Sequence, residues 1–325
     1  MDDKTLVPVR RQLSITERAT VPALIESAGR KAKRRFVEFF TANINNDNTR
    51  AAYLRAVTRF CSWCESAKLS FETIEPTLVA MYIKELSRSY SDASVKQHLA
   101  AIRMLFDYLV TGGIIDVNPA ASVRGPKLVI VKGKTPVLSA DDARTLLDSI
   151  DISKIAGLRD RALIGVMVYS FARISATLKM NVGDYYQNGK RGWIRLHEKG
   201  GRYHEMPCHH NAEQYLDDYL KEAGIDDHKK TPLFRTLDRR RQLTDDRMHR
   251  SDALRMIKRR AKHAGVSTEI CCHTFRATGI TEYMRNGGTL EKAQQMAAHA
   301  SAKTTNLYNR VNDELTLDEV ERVVI

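Results

Sequence analysis

Residues 271–310 read CCHTFRATGITEYMRNGGTLEKAQQMAAHASAKTTNLYNR. Within this stretch His273 and Arg276 stand one helical turn apart and so share a helix face. His299 follows, and Tyr308 stands nine positions beyond it (308 − 299). Taken singly, these are weak signals. A histidine–arginine pair on a helix is more often structural than chemical, and a lone histidine or tyrosine says little. The same holds upstream for Arg173 in Ser170-Phe171-Ala172-Arg173-Ile174-Ser175, which could be any helix-end arginine. Lys199, in Lys199-Gly200-Gly201, sits at what reads as a hairpin turn, where a lysine is usually just solvated.

Order changes that reading. Arginine, hairpin lysine, the His-x-x-Arg pair, a second histidine and then tyrosine form the ordered set of the tyrosine recombinases, the phage integrase family of DNA breaking–joining enzymes. The chain resembles that family from about residue 32 to about residue 315. The neighbouring text supports the resemblance: Gly157-Leu158-Arg159-Asp160-Arg161-Ala162-Leu163, Asn118-Pro119-Ala120, and Thr304-Thr305 shortly before Tyr308. Three departures stand out. The acidic residue often found three positions after the first arginine is Ala176 here. The usual Gly-Leu-Arg reads Phe171-Ala172-Arg173, and the glycine that commonly precedes the late histidine is Ala298.

The chemistry calls for these residue types. Attack on a phosphodiester builds negative charge on the nonbridging oxygens, and two guanidiniums can hold them with fixed, charge-assisted forks, which suits Arg173 and Arg276. A phenol is a nucleophile that also leaves acceptably later, so Tyr308 can store the broken bond as a phosphotyrosine. His273 is suited to accept or relay the phenol proton. The resemblance makes Lys199 the general acid on the departing 5′ oxygen and gives His299 a hydrogen bond to the phosphate. Covalent storage removes any need for ATP, and no carboxylate cluster for two magnesium ions is visible. No cofactor and no metal are therefore expected.

Composition agrees with a DNA partner. The chain of 325 residues carries 52 lysines and arginines against 39 acidic residues, a formal charge of +13, and 43% hydrophobic residues. A basic balance of this size favours a polyanion, because each phosphate contact releases counterions. No stretch is long enough for a membrane span, and MDDKTLVPVRRQ lacks the apolar core of a signal peptide. Five cysteines without an export signal fit reduced thiols in a bacterial cytoplasm, near the nucleoid. Cys61 and Cys64, and Cys271-Cys272-His273, lack a complete zinc ligand set.

The expected architecture is mainly α. Residues 1–31 read as a mobile arm. In 32–123 one helix starts at Asn45-Asn46-Asp47-Asn48, with Tyr53, Val57, Phe60, Cys61 and Cys64 on one side. Another starts near Ser91-Asp92, buries Val95, Leu99, Ile102, Phe106 and Leu109, and stops at Gly112-Gly113. By resemblance this is a SAM-like core-binding bundle. A basic linker, 124–136, leads to a mixed α/β catalytic domain, 137–312, with a small antiparallel sheet. That domain opens on a cap at Ser139, carries a long helix around Arg159–Val168, and has a hairpin from Trp193–His197 to Tyr203–Pro207. Beyond about residue 210 the pattern reads as helix throughout. The resemblance implies that the two domains form a C-shaped clamp on DNA.

Candidate DNA contacts are Arg55 and Arg59 on the first long helix, and Lys96, Gln97 and Arg103 on the second. Arg255, Lys258, Arg259 and Lys262 form a basic stripe opposite Leu254, Ile257, Ala261 and Ala264. The tail, 313–325, carries Leu315, Leu317, Val320, Val323 and Val324, more apolar area than a free tail should expose. It is expected to dock on a neighbouring protomer, giving a tetramer on DNA. The expected activity is site-specific recombination of a mobile element (integration, excision or resolution) through a 3′-phosphotyrosine and a Holliday junction. The alternatives are a catalytically inactive DNA-binding relative and a type IB topoisomerase.

Overall fold

The computed structural model describes residues 21–127, 133, 135–198, 203–266 and 269–308. The chain divides into two compact units, Met1–Val129 and Ile130–Ile325.

The first unit is helical. It runs through α1 (Ala23–Ser27), α2 (Gly29–Glu38, continued by a wide turn to Asn43), α3 (Asp47–Ser66), α4 (Pro76–Leu86) and α5 (Asp92–Thr111). Local chemistry explains the starts. The Asn46 side chain accepts hydrogen bonds from the amides of Asn48 and Thr49, both at 3.1 Å. Ser91 caps α5, Pro76 occupies the first turn of α4, and Gly113 takes a left-handed φ of 62° where α5 ends. The apolar stripes of α3 and α5 meet in one core that includes Val57, Phe60, Cys61, Cys64, Val95, Leu99, Ile102, Phe106 and Leu109. Burial pushes the Cys64 thiol up to about 12, so it packs as a small hydrophobe.

Two expectations for this unit need correction. Residues 21–31 are not part of a mobile arm: Leu24 and Ile25 are buried, and the Leu24 amide donates to the Glu65 carboxylate at 2.9 Å. A helix of five residues is too short to register as a periodic pattern. Residues 1–20 lie outside the described residues. Arg103 is engaged inside its own unit rather than free for a DNA contact: its guanidinium donates to the carbonyls of Ala120 (3.0 Å) and Val123. Asn118 returns the contact through the Arg103 carbonyl at 3.1 Å, so Asn118-Pro119-Ala120 is latched onto α5.

The second unit is built around α7 (Ile155–Tyr169). It is buried on nearly every side, as a helix at the centre of a core must be, and apolar but for Arg159, Asp160 and Arg161. Around it come α6 (Ala140–Asp148), α8 (Ile174–Lys179), the strands β1 (Tyr185–Asn188), β2 (Arg191–His197) and β3 (Tyr203–Pro207), and α9 (His210–Ala223). There follow β4 (Arg235–Leu237), β5 (Leu243–Arg247), α10 (Arg250–His263), α11 (Cys272–Arg285), α12 (Leu290–Met296) and α13 (Ala302–Asn306). Ser139 caps α6 by accepting from the Asp142 amide at 3.0 Å.

The sheet β1-β2-β3 is antiparallel, with Tyr185 opposite Ile194 and His197 opposite Tyr203. Gly192, Ile194 and Leu196 point inward along β2, at the period of two that a half-buried strand shows. A second ribbon, β4-β5, interrupts the region expected to be helix throughout. Its strands are three and five residues long, and Leu243–Arg247 reads LTDDR, too polar to signal a strand. Arg235, buried, anchors the ribbon through Asp245 at 2.9 Å.

Asp160 on α7 is fully buried. It accepts from Arg159 at 2.7 and 3.1 Å and from both Nε and Nη2 of Arg260 on α10, at 3.0 and 2.8 Å. This carboxylate therefore fixes α10 to the central helix. Asp160→Ala strands the buried Arg159 without its partner and should cost about 3–5 kcal/mol of stability, measured by urea unfolding.

Candidate active site

Arg173 is the N-cap residue of α8, reached from α7 through Phe171 in a left-handed conformation (φ 56°). Its Nη1 donates to the Glu198 carboxylate, and 30% of its side chain remains exposed. His273 and Arg276 lie on α11. Cys271 opens that helix, its amide donating to the Thr274 hydroxyl at 3.1 Å. His273 lies exposed on the first turn, whereas Arg276 is 1% exposed.

The Arg276 guanidinium donates Nη1 to the Phe171 carbonyl and Nη2 to the Ala297 carbonyl. Each of these nitrogens keeps a second N–H for a ligand. Burial, and then the nearby Arg173 charge, bring Arg276 down to about 10, so it stays cationic at neutral pH.

His299 follows Ala298, another left-handed residue (φ 47°), and is buried. Its Nδ1 lies 2.8 Å from the Thr305 hydroxyl, and its ring is parallel to that of Tyr308, with centroids 6.0 Å apart. Burial, followed by the charges of Arg276 and Arg173, brings His299 down to about 3. Its imidazole is therefore neutral at pH 7 and can donate through one nitrogen only. Desolvation and the guanidiniums of Arg276, Arg250 and Arg173 lower His273 as well.

Tyr308 is half-buried on a small apolar cluster that includes Phe171, Ile280, Ala293 and Ala297. The Tyr308 amide donates to the Thr305 carbonyl at 2.9 Å, and the Thr281 hydroxyl donates to the Tyr308 carbonyl at 3.1 Å. Lys199 lies outside the described residues, as do the turn it belongs to and the tail, 313–325.

Arg173, Glu198, His204, Gln294, Ala298 and His299 line a groove of about 830 Å³. Two titratable residues among these are not singled out by the sequence. Glu198 is a buried carboxylate, and nothing in a single glutamate before a lysine marks it. His204 on β3 is lowered by desolvation, and its Nε2 has no hydrogen-bond partner among the described residues.

On α10 the buried face comprises Ala253, Met256, Ile257 and Ala261, with Leu254 and Ala264 half-buried beside it. Arg255, Lys258, Arg259 and Lys262 are exposed opposite, although Arg255 pairs with Asp252 and Arg259 lies 3.8 Å from Asp160. In the helical unit Arg55, Lys96 and Gln97 are exposed. Arg59 is exposed too and lies over the Tyr90 ring at 5.0 Å.

Residues 136–314 match the phage integrase family, and residues 35–113 match the N-terminal SAM-like domain of phage integrases. The chain belongs to the phage integrase family. It is a tyrosine recombinase, a DNA breaking–joining enzyme. It is 29% identical over 278 residues to tyrosine recombinase XerC of Thermodesulfovibrio yellowstonii, covering 82% of this chain and 87% of that one.

Two solved structures share the recombinase fold. XerH site-specific recombinase bound to palindromic difH substrate, in a post-cleavage complex, has a TM-score of 0.69 at 18% identity and covers 90% of this chain and 87% of that one. A lambda integrase tetramer bound to a Holliday junction has a TM-score of 0.66 at 17% identity and covers 88% and 79%. Among the described residues no helix is long and apolar enough to cross a membrane.

Two measurements test this site. Ala298→Gly removes a side chain from a left-handed position and should stabilise the protein by about 0.5–1 kcal/mol, the gain in the fold outweighing the added freedom of the unfolded chain. The second concerns pH. His299 holds its proton far less well folded than unfolded (about 3 against about 6.5), so stability is lost as pH falls below 6.5 towards 3. Between pH 7 and pH 5 this residue alone should cost about 2 kcal/mol. His299→Asn should lose correspondingly less stability over the same interval, by urea unfolding at both pH values.

Proposed function

We propose that the protein is a site-specific recombinase that cleaves and rejoins DNA through Tyr308. The Tyr308 oxygen attacks a backbone phosphorus, forming a 3′-phosphotyrosine while the bond to the 5′ oxygen breaks. That oxygen leaves as a hydroxyl, and attack by a 5′-hydroxyl from the partner duplex reverses the step. The observation that carries this reading is the Arg276 guanidinium. It is fixed by the carbonyls of Phe171 and Ala297, which draws the turn bearing Arg173 and the turn bearing His299 to one place, with Tyr308 stacked on His299.

In this reading Arg173 and Arg276 hold the nonbridging oxygens. His273, its proton affinity lowered, is neutral near pH 7 and takes the phenol proton. His299 donates a hydrogen bond to the phosphate, and its low proton affinity rules it out as the acid for the departing 5′ oxygen. That role falls to Lys199, as the resemblance implies.

Arg55, Arg59, Lys96 and Gln97 in the helical unit, with Arg255, Lys258, Arg259 and Lys262 on α10, supply phosphate and groove contacts, while Arg103 is engaged within its own unit. Both the core-binding and the catalytic regions contact DNA, and four protomers assemble on it; a lambda integrase of similar fold is a tetramer bound to a Holliday junction. Integration, excision and resolution share this chemistry, and the arrangement of the two sites selects among them.

A nicked DNA substrate carrying the site, resolved on a denaturing gel, tests the assignment. The protein should form a covalent adduct, and Tyr308→Phe should form none while binding DNA with unchanged affinity. An adduct with the Phe variant would mean that another group attacks. Arg173→Lys and Arg276→Lys keep the charge but lose the fork, and cleavage should slow by about 10²–10³-fold in each. Normal rates in both would show that the forked contact is not what these arginines provide.

A further inference from the structure

We infer that Glu198 is a positioning residue for Arg173, supplying from the sheet a carboxylate that α8 does not carry; the inference rests on the role proposed above for Arg173. Glu198 directly follows β2 and is 6% exposed. Its Oε2 accepts from Arg173 Nη1, and it is the carboxylate paired with Arg173 among the described residues. A carboxylate is costly to take out of water, and burial at the floor of a groove is tolerated only because a guanidinium meets it there.

The helix that begins at Arg173 cannot make this contact itself. Its inward position one turn on is Ala176, 1% exposed and packed in the apolar core, with no polar group to offer. Glu198 reaches the same guanidinium from a different element.

The geometry has a chemical consequence. Arg173 is 30% exposed, and a long side chain at a helix start is free to swing. A carboxylate that takes one edge of the planar fork fixes the plane of the group and leaves the remaining N–H donors aimed into the groove. Glu198 also moderates the repulsion between the two arginines, because its charge favours the protonated form of Arg276 where Arg173 opposes it. In the chain it immediately precedes Lys199.

Glu198→Gln keeps the volume and removes the charge. On the nicked substrate at saturating DNA it should slow adduct formation by about 10–100-fold, the scale expected when a reacting contact is misplaced by a fraction of its length. DNA affinity should stay within about twofold, since one contact among many phosphate contacts is disturbed. On an Arg173→Lys background the same substitution should add less than about twofold, because the group it orients is gone. Equal slowing in both backgrounds would overturn the inference, showing that Glu198 acts on the fold or through another group. Normal cleavage by Glu198→Gln would overturn it as well.

An arm without catalysis separates this inference from the proposed function. In a ¹⁵N-arginine spectrum of the DNA-free protein, the Arg173 guanidinium signal is identified by its loss in Arg173→Lys. It should move or broaden in Glu198→Gln, and an unchanged signal would sink the inference. If the wild-type protein forms no Tyr308 adduct, the functional reading has failed, and this spectrum alone decides whether Glu198 holds Arg173.

Discussion

The buried guanidinium of Arg276 is the constraint on which the site depends. It lies on α11 and donates to two carbonyls far away in the chain, those of Phe171 and Ala297. The first belongs to the turn that delivers Arg173, and the second to the turn that delivers His299. A guanidinium at 1% exposure is tolerated only with its donors satisfied, and these two carbonyls satisfy them. Each turn contains a non-glycine residue in the left-handed region, Phe171 and Ala298, a conformation that ordinary side chains resist. Local backbone cost is thus accepted so that carbonyl oxygens can converge on one cation.

From that anchor the remaining geometry follows through α11. Five residues beyond Arg276, Thr281 holds the Tyr308 carbonyl, so one helix sets the position of both the buried guanidinium and the Tyr308 backbone. The seating of α11 in turn depends on Gly279, where a Cβ would lie 2.1 Å from the Val168 carbonyl on α7. Any larger residue pushes the two helices apart. The candidate side chains themselves sit at helix starts and in turns, where their direction can be chosen, and the rigid helices behind them supply the precision.

What the sequence reveals and what it hides divides along the same line. The stripes of α3 and α5 are legible because Val57, Phe60, Val95, Leu99 and Ile102 recur at helical spacing, and the hairpin because Ile194 and Leu196 alternate. The ordered arginines, histidines and tyrosine are legible because few chemistries other than phosphodiester transfer need those residues in that order. Arg103 misleads because its partners, the carbonyls of Ala120 and Val123, leave no mark on composition. The β4-β5 ribbon is hidden because LTDDR carries no apolar alternation, and α1 because five residues make no period. Glu198 is hidden for a further reason. Its importance lies wholly in a contact with a residue 25 positions away, and a spacing of that kind has no signature in a single chain.

Arg173 and Arg276 are close enough to repel each other, Glu198 is the carboxylate paired with Arg173 among the described residues, and His299 beside them is neutral. That arrangement has a logic for phosphoryl chemistry. Arg173 disfavours the charged form of Arg276 by repulsion, and a phosphodiester held between the two would offset it. A phosphodiester brings one negative charge to this pair. In the trigonal-bipyramidal transition state further negative charge gathers on the nonbridging oxygens, and there the forked donors gain most. In the reading proposed for Arg173, an arginine without Glu198 would be less well fixed and would serve ground state and transition state alike, with little change in overall DNA affinity. With it, more of the site's electrostatic stabilisation is reserved for the reacting geometry, which is where it accelerates a reaction.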